Sequence, residues 1–375
     1  MSALLPPPQA GLPWVVLGVA GSKRVRGLQA AGLGLGLAPP RLVEWSAFLR
    51  QPALLRQALQ APCRLRIEPP GDDATAQLRL MQLGCRRLRR PACRAPEHGE
   101  LLGTDAWFAG FARVLRGIAR LLARRPQVQA FHAPADILAM TDKLHCQQRL
   151  QAHGVHTPLL LGACEGYEHL QALMHRHGLD RAYLKARYGS SAAGVVAYRR
   201  NRRGQEQAIS SARLVDGPHG PQLFNIKRVH CYSRQDEIRR LLDQVAAQQA
   251  YAEAWLPKPR CGAGHYDLRV LTFGGRAAHR VARIGERAMT NLHLDNQRAD
   301  PAALLDATQL QAVQATAERA AGAFPHSHMI GFDLVACARG VHVLEANAFG
   351  DLLPGLLWQG EDPHQRGLRW QQGPQ

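Results

Sequence analysis

Ile330-Gly331-Phe332-Asp333-Leu334-Val335, followed by Ala338-Arg339-Gly340 and then Val343-Leu344-Glu345-Ala346-Asn347, reads as two strands and the short turn joining them. Both arms are apolar with β-favouring residues, and the Gly-containing segment has the length that connects antiparallel strands. Pairing about Arg339 sets Asp333 opposite Glu345, and the two-residue period of a strand puts Asn347 on the same face. Three oxygen donors then share one patch. Directly opposed Cβ atoms lie roughly 4.5 to 5.5 Å apart, so two ionised carboxylates there repel unless a cation lies between them. An oxygen-only set suits a hard ion such as Mg²⁺, which takes one or two carboxylates and completes its shell with water and phosphate. A solvated strand face fits the same residues, and the hairpin alone leaves both readings standing.

At 375 residues the chain can build two or three domains. Its apolar content of 46% fits a soluble globular protein. No charge-free apolar run of about 18 residues occurs, and the Pro-rich stretch Met1 to Pro13 lacks the regions of a signal peptide. A cytoplasmic location without a membrane span is therefore expected. The eight cysteines are scattered and form no Cys-x-x-Cys pair, so reduced thiols are expected rather than a zinc site or a disulfide framework.

The formal charge of +18 invites a nucleic-acid or acidic partner. Of the 47 basic residues, however, five are lysine and the other 42 arginine, spread through an Ala, Leu and Gln background in short runs without interleaved aromatics. A compositional preference for arginine on solvated faces accounts for that pattern. In such a background a retained lysine has a specific task.

Along the chain, Trp14 to Val19 reads as a buried strand turning through Gly18-Val19-Ala20-Gly21 into a helix at Ser22-Lys23. The spacing matches neither common phosphate-loop pattern, so it is a fold element. The Gly, Pro and Arg-rich segment from Gly84 to Gly103 reads as loop, and 104 to 124 as a helix whose Trp107, Phe108, Phe111, Leu115 and Ile118 share one face. Thr141 is the expected N-cap of a helix ending at Gly154. Helices are also expected near 167 to 177, 235 to 248 and 301 to 324. Strands are expected near 159 to 161, 182 to 185, 195 to 198, 222 to 229, 251 to 256, 266 to 273 and 276 to 284. Between two of them, Tyr188-Gly189-Ser190-Ser191-Ala192-Ala193-Gly194 offers backbone N–H groups with few Cβ atoms in the way, which suits either a phosphate cover or a hairpin turn.

Taken in order, these segments resemble the ATP-grasp superfamily, in particular the branch of ribosomal-protein glutamate ligases and related carboxylate-amine ligases. The matching series is Asp142-Lys143, Leu184-Lys185 with the Gly189 to Gly194 loop, Glu253-Ala254-Trp255-Leu256, Asp267-Leu268-Arg269, Arg283, Thr290-Asn291-Leu292-His293, Gly331-Phe332-Asp333-Leu334 and Val343 to Asn347. It spans roughly residues 136 to 360. The resemblance implies an α/β and α+β fold: an N-terminal α/β, pre-ATP-grasp-like domain over residues 1 to 135, followed by an ATP-grasp fold of two α+β subdomains, 136 to 255 with the phosphate loop and 256 to 375 with the Mg²⁺ site.

It also implies roles. Lys143 and Lys185 face the ATP phosphates as compact charges, and Gly189, Ser190, Ser191 and Gly194 close over them. Ala254, Trp255 and Leu256 meet adenine, with Glu253 alongside. Asp333, Glu345 and Asn347 hold Mg²⁺, with Glu345 bridging. Arg283 and Arg269 stabilise the transferring phosphoryl group and the tetrahedral intermediate, or else serve as ion-pair partners of nearby carboxylates. Asn291, with His293, positions the acceptor. The implied reaction is ligation of a small-molecule or peptide carboxylate to an amine through an acylphosphate. An Arg-rich nucleic-acid-binding protein with a degenerate core, and a phosphotransferase, are the competing readings.

Two departures from the family stand out. Pro257-Lys258-Pro259-Arg260-Cys261 occupies the place of the usual ribose-binding acid. Beyond Asn347 the chain runs Ala348-Phe349-Gly350-Asp351-Leu352-Leu353-Pro354-Gly355, where Asp351 either contacts an amine or caps a helix starting near Leu352.

Overall fold

The computed structural model of the chain describes residues 11–91, 93–189, 194–217, 220–286 and 297–370. Its first sheet grows from β1 (Trp14–Gly18), an apolar strand buried along its whole length. Parallel pairing gives the order β2 (Arg41–Glu44), β1, β3 (Cys63–Ile67), β4 (Val128–Ala130). The intervening helices are α1 (Lys23–Gly34), α2 (Trp45–Arg50), α3 (Ala53–Ala58), α4 (Ala74–Arg87) and α5 (Thr104–Ala123). Helix α1 starts where the Ser22 hydroxyl accepts from the Val25 N–H at 3.2 Å, a side-chain cap.

Helix α4 overturns part of the expected loop from Gly84 to Gly103. Gly84 does not break the helix; it lets two backbones touch. A Cβ there would lie 1.6 Å from Ala106 O, and one on Gly110 1.9 Å from Leu80 O, so α4 and α5 cross with no room for side chains at the contact. Cys85, in the last turn of α4, and Cys93 beyond it form a disulfide, which corrects the expectation of eight free thiols.

Helices α6 (Pro134–Thr141) and α7 (Lys143–Ala152) lead into a second, antiparallel sheet made of β5 (Leu160–Cys164), β6 (Arg181–Ala186), β7 (Val195–Arg200), β8 (Glu206–Gly217), β9 (Gly220–Tyr232) and β10 (Ala250–Ala254). Its order is β5-β10-β6-β7-β8-β9, with α8 (Tyr167–Arg176) and α9 (Gln235–Ala246) packed on it. The cap of α7 is Asp142, one residue past the expected Thr141; its carboxylate accepts from the His145 N–H at 3.1 Å.

The third sheet comprises β11 (Arg260–Cys261), β12 (Gly264–Phe273), β13 (Arg276–Gly285), β14 (Gln297–Ala299), β15 (Met329–Cys337) and β16 (Gly340–Asn347). Its main path runs β14-β13-β12-β15-β16, with β11 beside β12. It is backed by α10 (Ala307–Gly322), while α11 (Pro363–Leu368) returns to α1. Among the described residues no helix is long and apolar enough to cross a membrane.

Burial divides these layers unequally. Leu17, Leu65 and Ile67 of the first sheet share a core with Leu268, Val270, Phe332 and Leu334 of the third, and Ile137, Met140 and Leu150 of α6 and α7 join it. The second sheet buries its own set, including Leu170, Leu184, Val196, Tyr198 and Leu241. One lobe therefore contains two sheets and the other contains one.

A buried polar centre sits where the large lobe closes. Arg66 donates to Glu68 at 2.6 Å and lies 4.7 Å over the Phe131 ring. Burial, with the nearby Arg66 charge, pushes His328 down to about 3 and His364 to about 4.

Two outcomes follow from this packing. Gly84→Ala forces α4 off α5, and chemical denaturation is expected to show a loss of about 3 kcal/mol or more. The two histidines have folded pKa values below the unfolded value of about 6.5, so the unfolded chain binds their protons first. Stability is complete above about pH 6.5 and falls as the pH drops towards 4, by of the order of 3 kcal/mol per histidine. Denaturation midpoints measured from pH 7 to 4 should flatten in His328→Asn.

Candidate active site

The hairpin register sets the site. Cys337 stands opposite Gly340 across the Ala338-Arg339 turn, and a ladder continued evenly from there would pair Asp333 with Leu344. A bulge between Asp333 and Leu334 takes up Leu344 and returns Asp333 to Glu345. The expected facing pair thus forms, by a route with one irregularity. Asn347 stands opposite Gly331 and donates its amide nitrogen to Gly331 O at 3.3 Å, which leaves its side-chain oxygen as an acceptor.

Lys143 is the first residue of α7, and Asp142 fixes that end. Arg187, one residue beyond β6, donates Nε and Nη2 to the two Asp142 oxygens at 2.6 and 2.7 Å, and its carbonyl accepts the Lys143 N–H at 3.1 Å. This double clasp joins the start of α7 to the end of β6, so Lys143 and Lys185 approach the same space. The Lys143 ammonium pairs with Glu345 and that of Lys185 with Glu253.

A second set of charges crosses the third sheet. Lys258 Nζ lies 3.0 Å from Asp267, whose other oxygen accepts from Arg283 Nε at 2.7 Å. Arg283 reaches Asp333 at 3.1 Å. Arg269 grips Asp333 with two nitrogens, and its third, Nη1, donates to Asp351 at 3.1 Å. Asp267 with Arg283, and Arg269 with Asp333, are direct register partners on neighbouring strands. Burial alone would push the Arg283 guanidinium down, but Asp267 and Asp333 more than offset it and raise it further. Burial likewise works against the Asp333 charge, and Arg269 and Arg283 prevail, holding its pKa below the ordinary value. Lys258 is lowered by burial despite Asp267.

Most of these groups, though not Arg269 and Asp351, border one open cleft between the two lobes, walled by Tyr183, Val195 and Ala254 on one side and Val335 and Leu344 on the other. Lys143, Lys185, Glu253, Ala254, Leu256, Arg283, Asp333 and Glu345 all line it. The Trp255 ring lies 5.2 Å from Tyr183. Gly194 has φ +68°, and a Cβ there would come within 2.7 Å of the Ala186 Cβ, so this end of the loop needs glycine. Gly189 begins the same loop, whereas Ser190, Ser191, Asn291 and His293 lie outside the described residues.

Sequence reasoning passed over two lining residues. Lys258, noted only as a departure, and Asp267, noted only within a motif, both line the cleft. The scarcity of lysine was the available signal, since three of five lysines border this one cleft. No helix begins at Leu352. Asp351 accepts from the Leu352 N–H at 2.7 Å and pairs with Arg269, which corrects the helix-cap alternative.

Among the described residues no group of three or more His, Cys, Asp and Glu could hold a metal. Two facing carboxylates with an amide oxygen fit a hard cation that draws its other ligands from water and phosphate.

The search of family models and that of curated proteins return no match. Solved structures do match. PsnB, an ATP-grasp ligase held with Mg, ADP and a phosphomimetic variant of its minimal precursor, superposes with TM-score 0.53 at 14% identity, over 96% of this chain and 98% of that one. The D-cycloserine synthetase DcsG gives 0.53 at 13%, over 95% and 98%. Biotin carboxylase from Campylobacter jejuni gives 0.53 at 12%, over 90% of this chain and 66% of the carboxylase. Two α+β lobes closing on a cleft, preceded by a parallel sheet, are the ATP-grasp fold, which the chain shares with these structures.

Lys258→Met removes one cation from the buried Asp267 carboxylate. A loss of about 1–3 kcal/mol is expected, read from denaturant midpoints, and Lys258→Arg should recover most of it.

Proposed function

We propose that the protein is an ATP- and Mg²⁺-dependent ligase joining a carboxylate to an amine. The observation that carries this reading is the pairing of charges in the cleft: Lys143, Lys185, Lys258 and Arg283 are each matched to a carboxylate among Glu345, Glu253, Asp267 and Asp333, and the ladder continues beyond the lining through Arg269 to Asp351. A triphosphate and its divalent cation bring charges of both signs, so each can take one partner from an existing pair without stranding the other. The solved relatives, named as ligases and synthetases, support the same direction.

In this reading Glu253, Ala254, Trp255 and Leu256 flank adenine. Lys143 and Lys185 turn to the phosphates under the Gly189 to Gly194 loop with Ser190 and Ser191. Glu345, Asp333 and Asn347 hold Mg²⁺, which supplies charge neutralisation on the phosphate oxygens. The substrate carboxylate attacks the γ-phosphoryl group, forming a C–O–P bond and releasing ADP. An amine then attacks the acyl carbon, losing a proton and expelling phosphate. Arg283 and Arg269 offer permanent planar charge to the oxygens that gain electron density, and Asn291 orients the acceptor. Residues 1 to 135 form the leading domain, 136 to 255 the lobe above the nucleotide and 256 to 375 the metal-bearing part.

The Lys143–Glu345 pair makes ATP and Mg²⁺ mutually dependent. Without metal, ATP must draw Lys143 away and leave Glu345 beside the phosphates. Glu345→Gln is expected to bind metal-free ATP about tenfold more tightly than the native protein, about 1.4 kcal/mol, and to lose the further gain from Mg²⁺. Calorimetric titration with ATP, with and without Mg²⁺, reads both. Absence of ATP binding to either protein, or an unchanged Mg²⁺ effect in the variant, would overturn the proposal.

A further inference from the structure

Five carboxylates serve the cations of the cleft and of the ladder that continues from it to Arg269, and they differ in what they can give up. The side chains of Glu253, Asp267 and Asp333 are 2%, 3% and 7% exposed, whereas Glu345 and Asp351 are 32% and 33% exposed. A ligand that brings its own anions must displace a resident carboxylate, and only the exposed two can move into water at low cost. The metal requires Glu345. Asp351 is the one left to yield.

The backbone around Asp351 stays fixed. Phe349 O accepts from Arg24 at 2.8 Å, the Gly350 N–H reaches Asn347 O at 3.0 Å, and Pro354 O accepts from Arg298 at 2.9 Å. A Cβ on Gly331 would lie 3.3 Å from the Gly350 Cα, so the turn presses directly on β15. The Asp351 side chain is the part of this turn that reaches solvent. Its partner is the outer nitrogen of Arg269, Nη1, while Nε and Nη2 remain on Asp333. Arg269 therefore presents one half of its fork, next to the hairpin donors, to a carboxylate of replaceable identity.

Resting on the ligase reading above, we propose that Asp351 is the resident counter-ion of a carboxylate-receiving Arg269, and that a carboxylate of the substrate takes its place. Arg269 is then a substrate-contacting residue, and Asp351 a competitor that sets how strong a substrate anion must be to enter.

Glutarate serves as the probe, titrated calorimetrically into protein saturated with Mg²⁺ and ADP. Asp351→Asn keeps the shape and the contact to Leu352 but removes the competing charge. It is expected to bind glutarate at least about tenfold more tightly than the native protein, the scale of a hydrogen bond to a charged group. Asp351→Glu retains a competitor and should behave as native, and Arg269→Gln should abolish the gain when combined with Asp351→Asn. Equal or weaker glutarate binding in Asp351→Asn, or none at all, overturns the proposal. MgADP binding is measured first in the same cell: if it fails in the native protein, the ligase reading falls, whereas normal MgADP binding without tighter glutarate refutes only the role of Asp351.

Discussion

One carboxylate, Asp333, is gripped by two guanidinium groups from adjacent strands, and much of the structure follows from keeping it ionised inside the protein. A buried anion costs several kcal/mol unless its partners are well placed. Here Arg269 stands on β12 as the register partner of Asp333, and Arg283 reaches across from β13, the strand beyond it. Arg269 and Arg283 each have a further carboxylate on their far side, and the charges alternate from Lys258 to Asp351 without a gap. Removing any interior member leaves a charge of one sign in excess. The third sheet is therefore held by packing on one face and by an ionic ladder on the other.

That ladder also explains why the cleft opens where it does. The large lobe has a continuous core from the first sheet through the third, and the second sheet buries its own apolar set. Between them run the Pro257-Lys258-Pro259 strap, stiffened by two fixed φ angles, and the clasp of Arg187 on Asp142. Charged and apolar residues both line that boundary, and backbone pairing of Glu100 with Phe224 and stacking of Phe108 on Tyr188 tie the first part of the chain to the second sheet as well.

The sequence was legible where the signal was local. The hairpin, with its three oxygen donors, and the amphipathic helix α5 could be read from period and composition. Helix α4 was missed because Gly84 and the arginines after it look like loop, while the reason for that glycine is Ala106 on another helix. The disulfide was missed for a similar cause: nothing in the spacing of Cys85 and Cys93 reveals that the chain doubles back between them. The bulge at Leu344 was invisible, and the facing of Asp333 and Glu345 came from a turn centre half a residue away. Lys143, Lys185, Arg283 and the expected metal donors were singled out by order along the chain. Their ion pairs were not, since Asp267 and Arg283 become neighbours only through strand pairing.

The arginine bias described at the outset has a chemical side. Guanidinium groups do not deprotonate in proteins and resist acylation, whereas an ammonium can lose a proton and become a nucleophile. With 42 arginines and five lysines, nearly all of the positive surface of this protein is inert to amine chemistry. Lys143, Lys185 and Lys258 border a cleft in which, on the ligase reading, activated acyl groups form. Lys143, Lys185 and Lys258 are already held to Glu345, Glu253 and Asp267. On the ligase reading, salt bridges that would ordinarily be counted for stability also keep each of these side chains occupied by a carboxylate and away from an activated acyl group.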